Sequence, residues 1–273
     1  MKVCVIGLGE VGLSTAIYVA SKGFDVYGYD INEKAVARSK DRGIKASTNF
    51  NDFSSIDIYL ICVSTSWNKN APDLTSVFTA CDLITRENNS LPLVSIESTV
   101  VPGTCRKIYY EIFKNRVFLI HVPHRYWAGD PMRHGVKQVR VIGAINKESL
   151  KRGISLYEDQ LGIPLYVAPS IEIAEMSKIS ENAYRYVQIA FVEELKMICD
   201  ELGLNFDDVR KACNTKWNIN LLEAREGIGG KCLPKDIKYL SSLSTKSILL
   251  KSAMEVDRSY RKWLTMKQSA YRV

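Results

Sequence analysis

The chain has 273 residues, 46% apolar and 25% charged, a globular composition that excludes disorder and a disulfide-stapled miniprotein. No run reaches the ~18 apolar residues of a membrane helix, and no signal-peptide cleavage pattern follows the opening MKVCVIG, so a cytoplasmic protein with no membrane contact is expected. Seven cysteines without a CxxC pair and three histidines without finger spacing favour reduced thiols and no metal site, while a scattered net charge of +7 suits anionic small molecules and offers no nucleic-acid arm.

Up to about residue 168, short apolar runs at 3–6, 26–29, 58–63, 93–96, 117–120, 139–142 and 165–167 alternate with helix-like stretches such as 11–21 and 32–41. Continuous rather than alternating apolar runs mark strands covered on both faces. The pattern predicts an α/β domain over 1–168 with a doubly wound parallel sheet.

After Pro169 the character changes. From Ile171 to about Gly203 no proline or glycine interrupts a helical spacing of Ile173, Met176, Ala183, Tyr186, Val187, Ala190, Phe191 and Leu195. One long helix, buried on more than one side, is expected. Gly203 is its stop, and Asn205-Phe206-Asp207-Asp208 caps a second helix. A glycine-rich loop over about 218–234 precedes further helix, so 169–273 reads as a second, all-helical domain.

Two constellations carry chemistry. Gly7-Leu8-Gly9-Glu10-Val11-Gly12 follows a predicted strand and opens a predicted helix, the context of a Rossmann-like dinucleotide site. Gly7 permits the tight turn, Gly9 lets a pyrophosphate approach the backbone, and Gly12 lets helix and strand pack closely. The helix N-terminus offers N–H groups to that pyrophosphate. Asp30, 23 residues after Gly7, is placed to accept from an adenosine ribose, and the next residues, Ile31-Asn32-Glu33, include no arginine to hold a 2′-phosphate; NAD is therefore expected rather than NADP. The second constellation, Gly227-Ile228-Gly229-Gly230-Lys231-Cys232-Leu233-Pro234-Lys235-Asp236, sets one cysteine among glycines and two lysines. Glycines admit a bulky ligand and ammonium groups favour thiolate, so Cys232 reads as a nucleophile.

These residues resemble the UDP-glucose/GDP-mannose dehydrogenase family over essentially the whole chain. The opening GLGEVGLSTAIYVASKGFDVYGYD is similar to its cofactor-binding start. Val63-Ser64-Thr65-Ser66 resembles its V-P-T-P turn, and Pro72-Asp73-Leu74-Thr75-Ser76-Val77 the helix entry that follows. Ser98 to Thr104 resembles S-T-V-P-x-G-T, and Ala174-Glu175-Met176-Ser177-Lys178 with Asn182 resembles A-E-x-x-K-x-x-x-N. GIGGKCLPKD is very close to the nucleophile loop. The resemblance implies oxidation of the C6 hydroxyl of a nucleotide sugar, a UDP-sugar first, to a carboxylate with two NAD, through a thiohemiacetal and a thioester on Cys232. It further implies that Lys178 and Asn182, four residues apart on one helix face, stabilise an oxyanion. Asp236 would orient water and Thr99 would hold it. Gly7, Gly9, Val11, Gly12, Asp30, Lys34, Val63, Thr65 and Lys235 would hold NAD, and the long helix would form a homodimer.

The match departs in two places. Where the family carries a glutamate before arginine, this sequence reads His121-Val122-Pro123-His124-Arg125, so His124 is either a general base or a structural histidine. Ser252 to Arg258 resembles the end of the central domain and the sequence given stops at Val273, so a member short of the family's third domain is expected. Three functions stay open: a nucleotide-sugar 6-dehydrogenase, an oxidoreductase on a smaller alcohol, and a non-catalytic NAD-binding relative.

Overall fold

The computed structural model of the chain describes residues 1–87, 91–127 and 129–270. Two compact units divide it, Met1–Lys178 and Ile179–Val273.

The first unit is built on strands β1 (Lys2–Ile6), β2 (Asp25–Tyr29), β3 (Lys45–Ser47), β4 (Ile58–Ile61), β5 (Ser66–Asn68), β6 (Ala71–Asp73), β7 (Leu93–Ile96), β8 (Phe118–His121), β9 (Arg140–Ala144) and β10 (Leu165–Val167). Eight of them form one sheet in the order β10-β9-β8-β7-β4-β1-β2-β3, and β5 and β6 form a separate hairpin. Helices α1 (Glu10–Ser21), α2 (Glu33–Lys40), α3 (Thr75–Glu87), α4 (Thr104–Glu111), α5 (Pro131–His134) and α6 (Lys147–Ile154) lie between the strands. The continuous apolar runs make the central strands: Val3, Val5, Leu60, Ile61, Val94 and Ile96 are all buried. Each such side chain contributes roughly 1.5–3 kcal/mol by leaving water.

One pairing departs from the expected parallel sheet, and three short strands carry no apolar run. Strand β9 runs antiparallel to β8; among the described residues between them the one helix is the four-residue α5, and a parallel return needs a crossover, usually a longer helix. Strand β3 is Lys-Ala-Ser, three residues with no apolar run to announce it. The β5–β6 hairpin is likewise unannounced by any apolar run; it turns on Lys69 and Asn70, both with positive φ, the conformation that tight hairpin turns demand.

The remaining helices are α7 (Ile171–Glu201), α8 (Phe206–Cys213), α9 (Cys232–Ser242) and α10 (Ile248–Ala270). Gly203 ends α7 in the left-handed region at φ +66°, and Asn205 caps α8 by accepting from the N–H groups of Asp207 and Asp208 at 2.9 and 3.1 Å. In the second unit Ala183, Tyr186 and Ala190 of α7 pack in one core with Ile228, Ile237 and Ala253. Burial on several faces of α7 is corrected in part: Ile173, Met176 and Phe191 are exposed, as are Tyr184 and Ile198. The expected 218–234 loop is shorter too, since α9 begins at Cys232. Pro234 falls in the first turn of α9, where a missing N–H costs no helical hydrogen bond. Among the described residues no helix is long and apolar enough to cross a membrane.

Candidate active site

The loop after β1 opens at the centre of the sheet, where chain order switches from β1–β2–β3 on one side to β4 on the other; open α/β sheets bind ligands at that switch. Gly7 has φ +92°, and a Cβ there would lie 2.9 Å from the Cys62 backbone. A Cβ on Gly12 would fall 1.8 Å from the Gly7 carbonyl oxygen, whereas Gly9 faces open space. Gly9 caps α1 with no side-chain bond, which suits a pyrophosphate better than a self-capped helix would. Asp30 accepts from the N–H of Leu8 at 2.7 Å and of Asn32 at 2.8 Å, so the acid also fixes the loop. Val11 is half-buried at the start of α1, while Lys34 is exposed in the first turn of α2.

Val63 and Thr65 follow β4, and they are tied to the loop after β7. The Ser98 hydroxyl donates to the Val63 carbonyl at 2.7 Å, and the Thr65 hydroxyl to the Thr99 carbonyl at 3.0 Å. Glu175 of α7 then closes the start of α4, accepting from the N–H groups of Gly103 and Cys105 at 2.6 and 2.7 Å. Burial pushes the Glu175 carboxyl up while those two donors pull it down. One turn along α7, Lys178 is thereby held in fixed register with the Thr99 loop.

His124 is buried in a polar cluster under these loops. Arg140 Nη1 donates to Glu97 at 3.0 Å and Nη2 donates to His124 Nδ1 at 2.6 Å. His124 Nε2 pairs with Glu97 and lies 3.1 Å from the Thr15 hydroxyl. The Tyr157 hydroxyl donates to Glu97. An arginine only donates and a carboxylate only accepts, so the partners assign a neutral imidazole with its proton on Nε2. Burial first, then the Arg140 charge, push His124 down to about 4. Burial alone would raise Glu97, but Arg140, His124 and Tyr157 hold it at about 2.

Cys62, Glu97 and His124 bring three possible ligand atoms within 4.8 Å. Glu97 is already neutralised by Arg140, and His124 is already bonded to both. Glu97 and Arg140 escaped the sequence analysis; their signal is a charge inside or abutting an apolar run.

In the helical unit Cys232 is an exposed free thiol at the first residue of α9. It stands at the positive end of that helix, where negative charge developing on an adduct is favoured. Asp236, one turn further, is buried. It accepts from the Asn182 amide and from Lys235 Nζ, both at 2.5 Å, and Lys235 also lies over the Tyr239 ring at 4.3 Å. Cys232, Asp236, Lys235 and Asn182 thus belong together through α7 and α9. A cavity of 840 Å³ between the starts of α3 and α4, and one of 490 Å³ beside α8, contain none of the expected site residues.

The chain is similar in sequence and fold to known proteins. The UDP-glucose/GDP-mannose dehydrogenase family matches through its NAD binding domain over residues 1–46 and 37–161, and through its central domain over 172–259. A UDP-N-acetyl-D-mannosamine dehydrogenase of Methanococcus maripaludis is 33% identical over 94% of this chain and 65% of its own length. An NDP-N-acetyl-D-galactosaminuronic acid dehydrogenase of Ralstonia solanacearum is 30% identical over 93% of this chain and 68% of its own. The solved structure of a Pyrococcus horikoshii UDP-D-ManNAc dehydrogenase superposes with a TM-score of 0.88 at 27% identity, covering 95% of this chain and 69% of that one. The chain thus spans about two thirds of the length of the proteins it matches. With a family match across both of its units, it belongs to the UDP-glucose/GDP-mannose dehydrogenase family.

Proposed function

We propose that the chain catalyses NAD-dependent oxidation of the C6 hydroxyl of a nucleotide sugar to a carboxylate, through a covalent adduct on Cys232. The observation that carries this is the exposed Cys232 thiol at the start of α9, with the buried Asp236 one turn away; NAD binding alone would need neither. The names of the relatives support a UDP-linked N-acetylhexosamine as the first substrate to try. In the same proposal the chain is cytoplasmic, supported by free cysteines, and α7 pairs with a second copy through its exposed Met176, Tyr184 and Phe191.

NAD, when bound by Gly7, Gly9, Val11, Gly12, Asp30, Lys34, Val63, Thr65 and Lys235, supplies the hydride acceptor. The chain's own residues manage charge and protons. Cys232 sulfur adds to the aldehyde carbon, and Lys178 and Asn182 stabilise the resulting oxyanion. Once that carbon is at the thioester level, water held by Thr99 and oriented by Asp236 attacks it, the C–S bond breaks, and the sulfur leaves as thiolate while the acid departs. His124 is assigned the structural role: both ring nitrogens are engaged, and a buried neutral imidazole bonded to Arg140 has no free lone pair for a water.

The test is NADH formation across UDP- and GDP-sugars with Cys232→Ala as control. Two NADH per sugar, lost in the variant by about 10⁴-fold or more, is expected. Absence of turnover with every sugar while NAD still binds would sink the proposal in favour of a smaller alcohol or a non-catalytic role.

A further inference from the structure

Ile228 precedes Cys232 by four residues, and its two peptide groups are gripped from one helix. Its N–H donates to Asp257 Oδ1 at 2.7 Å, and its carbonyl accepts from Arg261 Nη2 at 2.7 Å. Asp257 and Arg261 are one turn apart on α10 and are themselves paired, at 3.1 and 3.2 Å through Arg261 Nε. Gly227 adopts φ +91°, and a Cβ there would lie 2.7 Å from the Arg261 guanidinium carbon. Upstream, the Tyr260 hydroxyl donates to the Arg225 carbonyl at 2.7 Å. The chain entering the Cys232 helix is therefore shaped by one acid–arginine pair.

Glu193 of α7 is buried against this pair with no exposure. Neither of its carboxyl oxygens has a hydrogen-bond partner among the described residues. The ionisable groups facing it are Asp257, Tyr260 and Arg261 of α10 and Tyr186 of α7, and Arg261 is the cation of that set. Burial, then the negative charge of Asp257, push its carboxyl up to about 8 against the pull of Arg261. At neutral pH Arg261 thus serves one carboxylate and the Ile228 carbonyl.

We propose that Asp257 and Arg261 are positioning residues for the Cys232 nucleophile, and that they hold its loop only while Glu193 is uncharged. An ionised Glu193 competes with Asp257 and the Ile228 carbonyl for a single guanidinium, and the turn is released. The inference rests on Cys232 being the nucleophile, but the release itself is measurable without any substrate.

The experiment is hydrogen exchange of the Ile228 amide from pH 6.5 to 9.5, corrected for intrinsic exchange, in wild type and Glu193→Gln. In wild type, protection is expected to fall about tenfold between pH 7 and 9, as the ionised fraction of Glu193 rises from about one-tenth to nine-tenths. Glu193→Gln is expected to keep its protection within about twofold. Equal protection in the two proteins at pH 9 overturns the inference, and so does a flat wild-type profile, which decides the matter even where the variant does not fold. The kinetic companion is a kcat that declines above pH 8 in wild type and not in Glu193→Gln, with KM for NAD unchanged. If no sugar is oxidised while the exchange result holds, the clamp stands and the proposed reaction fails. If the enzyme is active and protection is independent of pH, the reaction stands and the clamp fails.

Discussion

In the N-terminal unit Arg140 faces one carboxylate, Glu97, and one neutral imidazole, His124. In the helical unit Arg261 faces two carboxyls, Asp257 and Glu193. The parts are alike, yet the charge balance differs, and with it the side from which each cluster is vulnerable. Arg140 and Glu97 are both fully buried and cancel, so the first cluster is disturbed when acid adds a proton to a histidine. The second holds one acid too many and is disturbed when alkali removes a proton. The one cation in contact with each set of buried acids thus sets how many of them can be charged, and the surplus acid becomes the titrating one.

The largest effect should come from removing the first cation. Arg140→Met leaves the Glu97 charge without its buried cation, keeping only the His124 and Tyr157 contacts, and removing one partner of a buried pair costs about 3–5 kcal/mol. Urea unfolding would read it, and Glu97→Gln added to Arg140→Met should recover much of the loss. If Arg140→Met alone unfolds no earlier than wild type, the two clusters do not differ as described.

The next effect is the shape of stability against pH. Burial holds both His121 and His124 at about 4, below the 6.5 of an unfolded histidine. Between pH 4 and 6.5 the unfolded chain therefore binds more protons, and stability rises with pH. Glu193 has the opposite sign. Its folded value of about 8 lies above the 4.5 of a free glutamate, so the folded chain binds more protons between 4.5 and 8 and stability falls across that window. Two histidines outweigh one glutamate below 6.5, and from there to about pH 8 the glutamate leads; nearer pH 9 the thiols of Cys4, Cys62, Cys81 and Cys105, pushed up by burial, add a decline of the same sign. A maximum in Tm near pH 6.5 is expected for wild type, with a plateau up to about pH 8 in place of the decline for Glu193→Gln. A decline in that window that persists in the variant would assign it to another group.

The sheet and the two glycine loops were legible in the sequence because local features announce them. Continuous apolar runs make β1, β4 and β7, and the spacing of Gly7, Gly9 and Gly12 has few other uses. Of the expected site positions, Gly7, Gly9, Gly12, Asp30 and Cys232 were legible from local pattern and the rest only through the family motifs, and their roles rest on the experiments above. What escaped was long-range. Glu97 and Arg140 stand 43 residues apart, Ile228 and Asp257 29, and no periodicity links such pairs. Strand β3 escaped because three residues of Lys-Ala-Ser carry no pattern, and the start of α9 because Pro234 reads as a helix breaker until its place in the first turn is known.

A smaller effect separates charge from shape in the helical cluster. Arg261→Lys keeps the cation beside Asp257 but cannot reach both Asp257 and the Ile228 carbonyl with one planar fork. Arg261 is about half exposed, so water takes over part of what is lost, and the change should cost only about 1 kcal/mol, the net worth of one hydrogen bond. Thermal unfolding at pH 6.5, where Glu193 is uncharged, measures it without interference from that acid. If the loss is that small while Ile228 amide protection collapses, the fork is needed for the shape of the loop, and charge alone holds the fold. If protection survives, the ammonium suffices, and the Cys232 loop is held by Asp257 with Arg261 serving only to keep that acid ionised.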